Sequence, residues 1–353
     1  MKSLKLPVTE PKITIDEKRR RILAEVSIEG FLIPEGHPPI RNKFTRNMGY
    51  ILDGLIRVAL VSVYDEGGTS RNVSTNLGHL MRYYYGTTIN DVYIGIPMFL
   101  QYGNGYTTPS VVDNNLATPD LHVPTRYVDV VEAEDSTTAI YAGRWTPDAD
   151  KEYREVGLKH IVDTVAGYAT LLARTVCPTP LVRSAYTTYF EGYALTFPSS
   201  FTRWFARALA STVCGHAVRH ARGVTCVAQD GSTFVLRTPG AFYGSPDVMI
   251  GSNNAPPSPT DHNLKAPIAS LANQTQSVEV DTTLQEVRIV RIGSYSPTTS
   301  VQFGEIGLFA NLYGFRAGSG AGYKTLLVRA TLDPPITLNP GTTYTLGIII
   351  KLA

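Results

Sequence analysis

The chain has 353 residues, 43% of them apolar and 18% charged, with a net charge of +2. This is a folded composition large enough for two ordinary domains, less charged than the ~25% of an average globular chain, and its near-neutral balance gives no mandate for nucleic acid or membranes. Three cysteines, Cys177, Cys214 and Cys226, are too few for a disulfide framework, so an intracellular assembly site is expected in place of secretion, and the twenty tyrosines suit subunit contacts.

The first segment, Met1 to Arg21, is polar and interrupted by proline. Met1 to Glu10 lacks the basic flank and apolar stretch of a signal peptide. Such an arm cannot bury enough apolar surface to order itself, so it is expected to lie against a neighbouring subunit. Its run Lys18-Arg19-Arg20-Arg21 follows Asp16-Glu17, which halves the local charge. A solvated or inter-subunit face is expected there, with nucleic acid unlikely as a specific partner.

An extended segment, Ile22 to Ile33, leads into an amphipathic helix. Phe44, Met48, Ile51, Leu52, Leu55 and Ile56 recur at three- and four-residue spacing, and Asn42 stands where an N-cap would. The apolar run Ile51 to Val63 is broken by Asp53 and Arg57, and nothing approaches the ~18–20 apolar residues of a membrane span. Tyr83-Tyr84-Tyr85 reads as an interface strand. Gly103-x-Gly105 and Gly318-x-Gly320-x-Gly322 are not followed by helix starts, so they read as hairpin or loop tips, not phosphate cradles. Acidic residues gather at Glu132, Glu134 and Asp135 and at Asp148 and Asp150, among Thr, Ala and Pro in expected loops. Tyr186 to Phe197 is a second extended segment, and Pro198-Ser199-Ser200 turns directly into a second helix, with Ser200 as its expected N-cap. Further strands are expected at 278–280, 287–292, 326–332 and 342–350 from β-branched alternation.

The same module is written twice. Phe44-Thr45-Arg46 matches Phe201-Thr202-Arg203. Asp91 to Gly95 matches Asp247 to Gly251. Pro109-Ser110, Asp113, Asn115-Leu116 and Pro119 match Pro257-Ser258, Asp261, Asn263-Leu264 and Pro267. Glu155-Val156-Gly157-Leu158 matches Glu305-Ile306-Gly307-Leu308, and Leu171 to Arg174 matches Leu326 to Arg329. Thr187-Thr188-Tyr189 matches Thr342-Thr343-Tyr344. The order is kept throughout, which implies two similar domains. The shared motif residues are therefore Gly95, Gly251, Glu155, Gly157, Glu305, Gly307, Arg174, Arg329, Tyr189 and Tyr344. They are turn and core types, and the two glutamates read as structural ion pairs or hydrogen bonds. Gly157 and Gly307 lie inside strands, where glycine is retained for a bulge or a close approach.

Chemistry is sparse. Cys214, His216, His220 and Cys226 are candidate zinc ligands, since two imidazoles four apart share a helical face. Their spacing matches no metal motif and the first copy has no counterpart, so packing and surface roles are expected, with no metal and no cofactor. No nucleophile elbow of Gly-x-Ser-x-Gly type is present, and a non-enzyme is expected.

The succession of helix, Ile-Gly, Pro/Ser/Asp/Leu loop, Glu-Val/Ile-Gly-Leu, Leu-Leu-Ala/Val-Arg and Thr-Thr-Tyr resembles a small β-rich module of structural proteins of tailed bacteriophages and archaeal viruses, of tail or tail-fibre type. The second copy resembles it more closely; the first departs where Lys159-His160 replaces Phe309-Ala310. The resemblance implies a virion component that binds copies of itself and other virion proteins, and it brings no catalytic residues. The expected fold is mainly β: an arm over 1–21, a first β-sandwich or barrel domain over 22–197 and a second over 198–353, whose first strand could be 186–197, each with one packed amphipathic helix. A tail-type component (tube, baseplate or fibre attachment) is expected; a capsid protein with two tandem barrels and a surface- or carbohydrate-binding module are the alternatives.

Overall fold

The computed structural model describes residues 6–74, 88–89, 92–93, 98–125, 127–163, 168–213, 224–236 and 242–353. The chain begins with strands β1 (Lys12–Asp16), β2 (Arg21–Ile33), β3 (Ile40–Arg41) and β4 (Lys43–Phe44), then helix α1 (Arg46–Arg57). Next come β5 (Leu60–Tyr64), β6 (Ser70–Ser74), β7 (Thr88–Ile89), β8 (Val92–Tyr93), β9 (Met98–Gly103), β10 (Pro119–Pro124), β11 (Tyr127–Glu132) and β12 (Ser136–Trp145). Long strands β13 (Lys151–Asp163), β14 (Tyr168–Arg183) and β15 (Tyr189–Pro198) precede helix α2 (Arg203–Val213). The remainder is β16 (Thr225–Val227), β17 (Thr233–Leu236), β18 (Asp247–Gly251), β19 (Pro267–Ser270), β20 (Ala272–Asp281), β21 (Glu286–Tyr295), β22 (Val301–Arg316), β23 (Ser319–Leu338) and β24 (Tyr344–Leu352). The fold is mainly β with stacked sheets, as the alternating segments predict.

The largest sheet runs β11-β12-β15-β2-β24-β21-β20, with β1 and β3 added to β2. Its two wings have the same make-up, a closing strand and a hairpin from each half. They meet on β2, which is antiparallel to β15 from Glu29↔Thr196 to Gly192↔Ile33 and parallel to β24 from Arg21↔Thr345 to Ile28↔Leu352. Every residue of β2 from 26 to 32 is buried, as suits a central strand covered on both faces. The first half adds the sheet β10-β9-β13-β14-β4; the second adds β16-β17-β22-β18-β19 with β23 on β22. Tyr193 of β15 points at the former and donates to the Val156 carbonyl at 2.7 Å.

Each helix reaches into the opposite half. Helix α1 lies on β14 but also on β20 and β21, and α2 lies on β23 but also on β11 and β12. A Cβ on Gly49 of α1 would meet Val287 at 2.5 Å and Val278 at 3.1 Å. Gln276 of β20 donates to Asp53 of α1 at 2.6 Å. From α2, Arg203 and Arg207 pair with Glu132 of β11 at 2.8 and 2.6 Å. One contiguous apolar core results, containing Ile22, Leu52, Tyr193, Phe205, Ile289 and Leu352 alike.

Several expectations are corrected. The helices begin later than Asn42 and Ser200. Thr45 is the N-cap of α1, in extended conformation and without a side-chain cap. Its hydroxyl turns to the Leu171 carbonyl at 2.5 Å, as that of Thr202 turns to Leu326 at 2.6 Å. Within the arm, β1 forms a hairpin with β2 of its own chain, from Lys12↔Glu25 to Asp16↔Arg21. Leu6 packs on the outer sheet face by Ile140, Ala142 and Ala194. Within the chain, Leu6 and Ile13 of this arm find apolar partners. Gly318 sits at the tip of the β22–β23 hairpin, where Ala317 and Gly318 have φ of 49° and 84°. Gly320 and Gly322 instead lie within β23, beneath the rings of Tyr313 and Tyr243.

Candidate functional site

The polar residues shared by the two halves converge on one arrangement, built twice. In the first half Glu155 of β13 is fully buried. It accepts the backbone N–H groups of Gly105 at 3.0 Å, Ala117 at 3.1 Å and Thr118 at 2.7 Å. Arg174 of β14, which pairs with Gly157 two residues along β13, donates Nε to Glu155 at 2.9 Å, Nη1 to Asp113 at 2.9 Å and Nη2 to Thr107 at 2.9 Å. Asp113 in turn accepts the Ser110 N–H at 2.9 Å.

In the second half Glu305 accepts Lys265 N–H at 3.1 Å and Ala266 N–H at 2.7 Å. Arg329 donates Nε to Glu305 at 2.7 Å and Nη1 to Asp261 at 3.0 Å. Asp261 accepts the Ser258 N–H at 2.9 Å. Each cluster clasps a loop, 104–118 or 252–266, to the face of a sheet. A buried carboxylate with this many donors is fixed in place; it presents no free oxygen to a substrate.

The glycines follow from the same packing. A Cβ on Gly157 would meet Leu171 at 2.7 Å and Leu116 at 2.9 Å; one on Gly307 would meet Leu264 at 2.8 Å and Leu326 at 2.9 Å. Gly251 stands opposite Glu305 on the neighbouring strand, and the residue opposite Glu155 is Gly103. The partner of Gly251 is therefore Gly103, eight residues beyond the Gly95 that string identity selects, and Gly95 lies outside the described residues. Close approach explains both glycines: a Cβ at Gly103 would meet the Thr118 carbonyl, and Glu155 Oε1 at 2.9 Å, and one at Gly251 would meet Glu305 Oε1 at 2.5 Å and the Ala266 carbonyl at 2.6 Å. Tyr189 and Tyr344 are also equivalent: their hydroxyls accept the N–H of Ser184 at 2.9 Å and of Asn339 at 3.0 Å.

Cys214, His216, His220 and the tyrosines 83–85 lie outside the described residues. Cys226 is buried in β16, where burial pushes its thiol far up. Among the described residues, no cluster of three His, Cys, Asp or Glu could hold a metal. Glu132 belongs to the α2 contact, and Asp150 accepts the Ala185 N–H at 2.7 Å.

Two further features of the first half bury charged groups; the sequence marks the second, as the departure at Lys159-His160, and not the first. Arg183 and Glu191 form a buried pair to which Tyr102 and Trp145 also donate, the latter at 3.0 Å. Burial beside Glu191 raises the Tyr102 phenol strongly and pushes the Cys177 thiol to about 12. Lys159, fully buried, pairs with Glu66 and donates to Asn115 at 2.5 Å. Burial lowers its pKa, against the opposing pull of Glu66. Its neighbour His160 is pushed down to about 4 by burial. Compared with protein-family models, curated proteins and solved structures, the chain matches none.

Proposed function

We propose that this chain is a non-enzymatic virion structural protein that assembles with copies of itself in a tail-type part of the particle. The observation that carries the assembly reading is the seven-strand run of the shared sheet, which ends in β11 on one side and β20 on the other. Among the described residues, each end strand has one hydrogen-bonded neighbour, β12 or β21. Open edges are templates for pairing with another chain, and edges at matching places of two similar wings suit a repeating head-to-tail contact that closes a ring. The clasp residues support the non-enzymatic part, because their polar atoms are engaged with loop backbone and each other. The virion placement rests on the motif resemblance.

The test is light scattering and negative-stain microscopy of the full chain at micromolar concentration. Rings or tubes are the expected result. Closed shells would replace the tail reading by a capsid one, and a uniform monomer would overturn self-assembly.

A further inference from the structure

We infer that Lys159 and Asn115 become covalently joined, side chain to side chain, by an isopeptide bond, with Glu66 carrying the protons. Three separate segments bring the groups together. Lys159 lies in the middle of β13, opposite Phe99 on β9 and Leu171 on β14, both buried. Its Nζ is 2.5 Å from Asn115 Oδ1 and in contact with the Glu66 carboxylate. Asn115 Oδ1 also accepts the Leu116 backbone N–H at 2.8 Å. The amide carbonyl therefore faces an amine while a fixed N–H donor polarises its oxygen.

The arrangement supplies what amide exchange lacks in water. Placing the amine against the amide replaces an encounter by a fixed geometry, worth on the order of 10⁵ M or more in effective concentration. Burial favours the neutral, nucleophilic amine, and the shift of Lys159 is in that direction. The Leu116 N–H is placed where negative charge would develop on Oδ1.

The step balances without any further reactant. The Lys159 ammonium passes a proton to the Glu66 carboxylate, and the free amine attacks Asn115 Cγ, placing charge on Oδ1. Glu66 returns the proton to Nδ2, and the Cγ–Nδ2 bond breaks as the Nζ–Cγ bond is kept. One of the two protons left on the Nζ cation passes through Glu66 to the departing ammonia, so the products are the secondary amide and ammonium, with Glu66 unchanged.

The second half is a built-in comparison. Asn263 keeps the same bond to the following N–H, Leu264, at 2.9 Å. Phe309 stands where Lys159 does, since each lies one position past a bulge opposite the Leu of the next strand. Gln229 stands where Glu66 does, in the equivalent hairpin turn, and donates to Asn263 at 3.1 Å. Lys324, the nearby amine, is engaged with Asp247 at 2.6 Å. The asparagine is thus common to both turns, while amine and carboxylate occur together in the first.

Intact mass spectrometry of the folded full chain, denatured just before measurement, tests this. The expected mass is about 17 Da below that of the sequence, one ammonia, and a digest should contain one branched peptide carrying Asn115 and Lys159. Lys159→Met, which places an apolar side chain as Phe309 does, and Glu66→Gln, which copies the second half, should each restore the full mass. Wild-type protein that unfolds cooperatively yet shows the full mass and two linear peptides would overturn the bond. A branched peptide in Glu66→Gln at the wild-type rate would overturn the role of Glu66.

Discussion

Replacing Arg329 with Met keeps much of the stem and removes the guanidinium. Glu305 would remain fully buried with two backbone donors, Lys265 and Ala266, and no cation on its oxygens. Asp261 would retain Lys265 at 2.8 Å. Breaking a buried pair from one side costs ~3–5 kcal/mol, because the remaining charge is stranded. The two N–H bonds to a carboxylate survive, each worth ~1.5–3 kcal/mol, which places Arg329→Met near the lower bound, about 3 kcal/mol. Arg174→Met is expected to cost less, about 2 kcal/mol, because Glu155 keeps three backbone donors and solvent reaches Asp113. Urea unfolding followed by tryptophan fluorescence measures both, with Trp145 in one half and Trp204 in the other. Adding Glu305→Gln to Arg329→Met should recover part of the loss. If Arg329→Met costs less than about 1 kcal/mol at unchanged slope, the clasp does not hold the loop.

Gly157→Val and Gly307→Val should each destabilise by ~1–3 kcal/mol or more through overpacking against two leucines, although valine is the better strand former; a neutral melt for both would end the close-approach account. Gly49→Ala should destabilise even though alanine gains ~1 kcal/mol of helix propensity, because its Cβ would drive α1 off Val287 and Val278; a gain in midpoint would mean that the helix is not wedged against the opposite half. His160 is neutral in the fold down to about 4 but takes a proton near 6.5 when unfolded. The unfolded chain therefore binds more protons in between, and stability is lost as pH falls from about 6.5 to about 4, by roughly 3 kcal/mol. His160→Gln should flatten this limb of a stability–pH curve, and an unchanged limb would assign it to other groups.

The clasp was half-legible in the sequence. Pro-Ser-x-x-Asp, Glu-x-Gly-Leu and Leu-Leu-x-Arg keep their order, so the repeat can be read, and the retained in-strand glycines signal the leucines that cover them. That Asp113 and Asp261 complete an ion triad could not be read, because loop and strands meet only in the fold. The false partner Gly95 shows the limit of string identity. Phe99 to Gly103 shares little with Asp247 to Gly251 beyond its glycine, and what makes them equivalent is a cross-strand position facing a glutamate. The expected caps Asn42 and Ser200 failed because the hydroxyls of Thr45 and Thr202, at the actual starts, tie the helices to a strand. Nor could local pattern reveal that β2 joins β24, since alternation fixes which face a strand buries and leaves its partner open.

A chain with two similar halves around one shared strand has a problem of its own. Each closing strand can compete for the place of the other, even though β2 meets β15 antiparallel and β24 in parallel. The layer beneath the closing strands distinguishes them. In the first half it contains Arg183, Glu191, Tyr102 and Trp145, mutually bonded and buried or nearly so, with Arg183 also donating to the Glu35 carbonyl at 3.3 Å. At the matching register positions the second half has Leu338, Leu346, Ile250 and Tyr295. Putting β24 in place of β15 would leave Arg183 buried without its carboxylate, and the reverse exchange would bury Glu191 against Leu338 and Ile250 with no cation; either costs several kcal/mol. A buried ion pair adds little net stability over an apolar layer of the same volume. Its effect here is to make the two halves non-interchangeable, so that the sequence specifies one arrangement of the shared sheet.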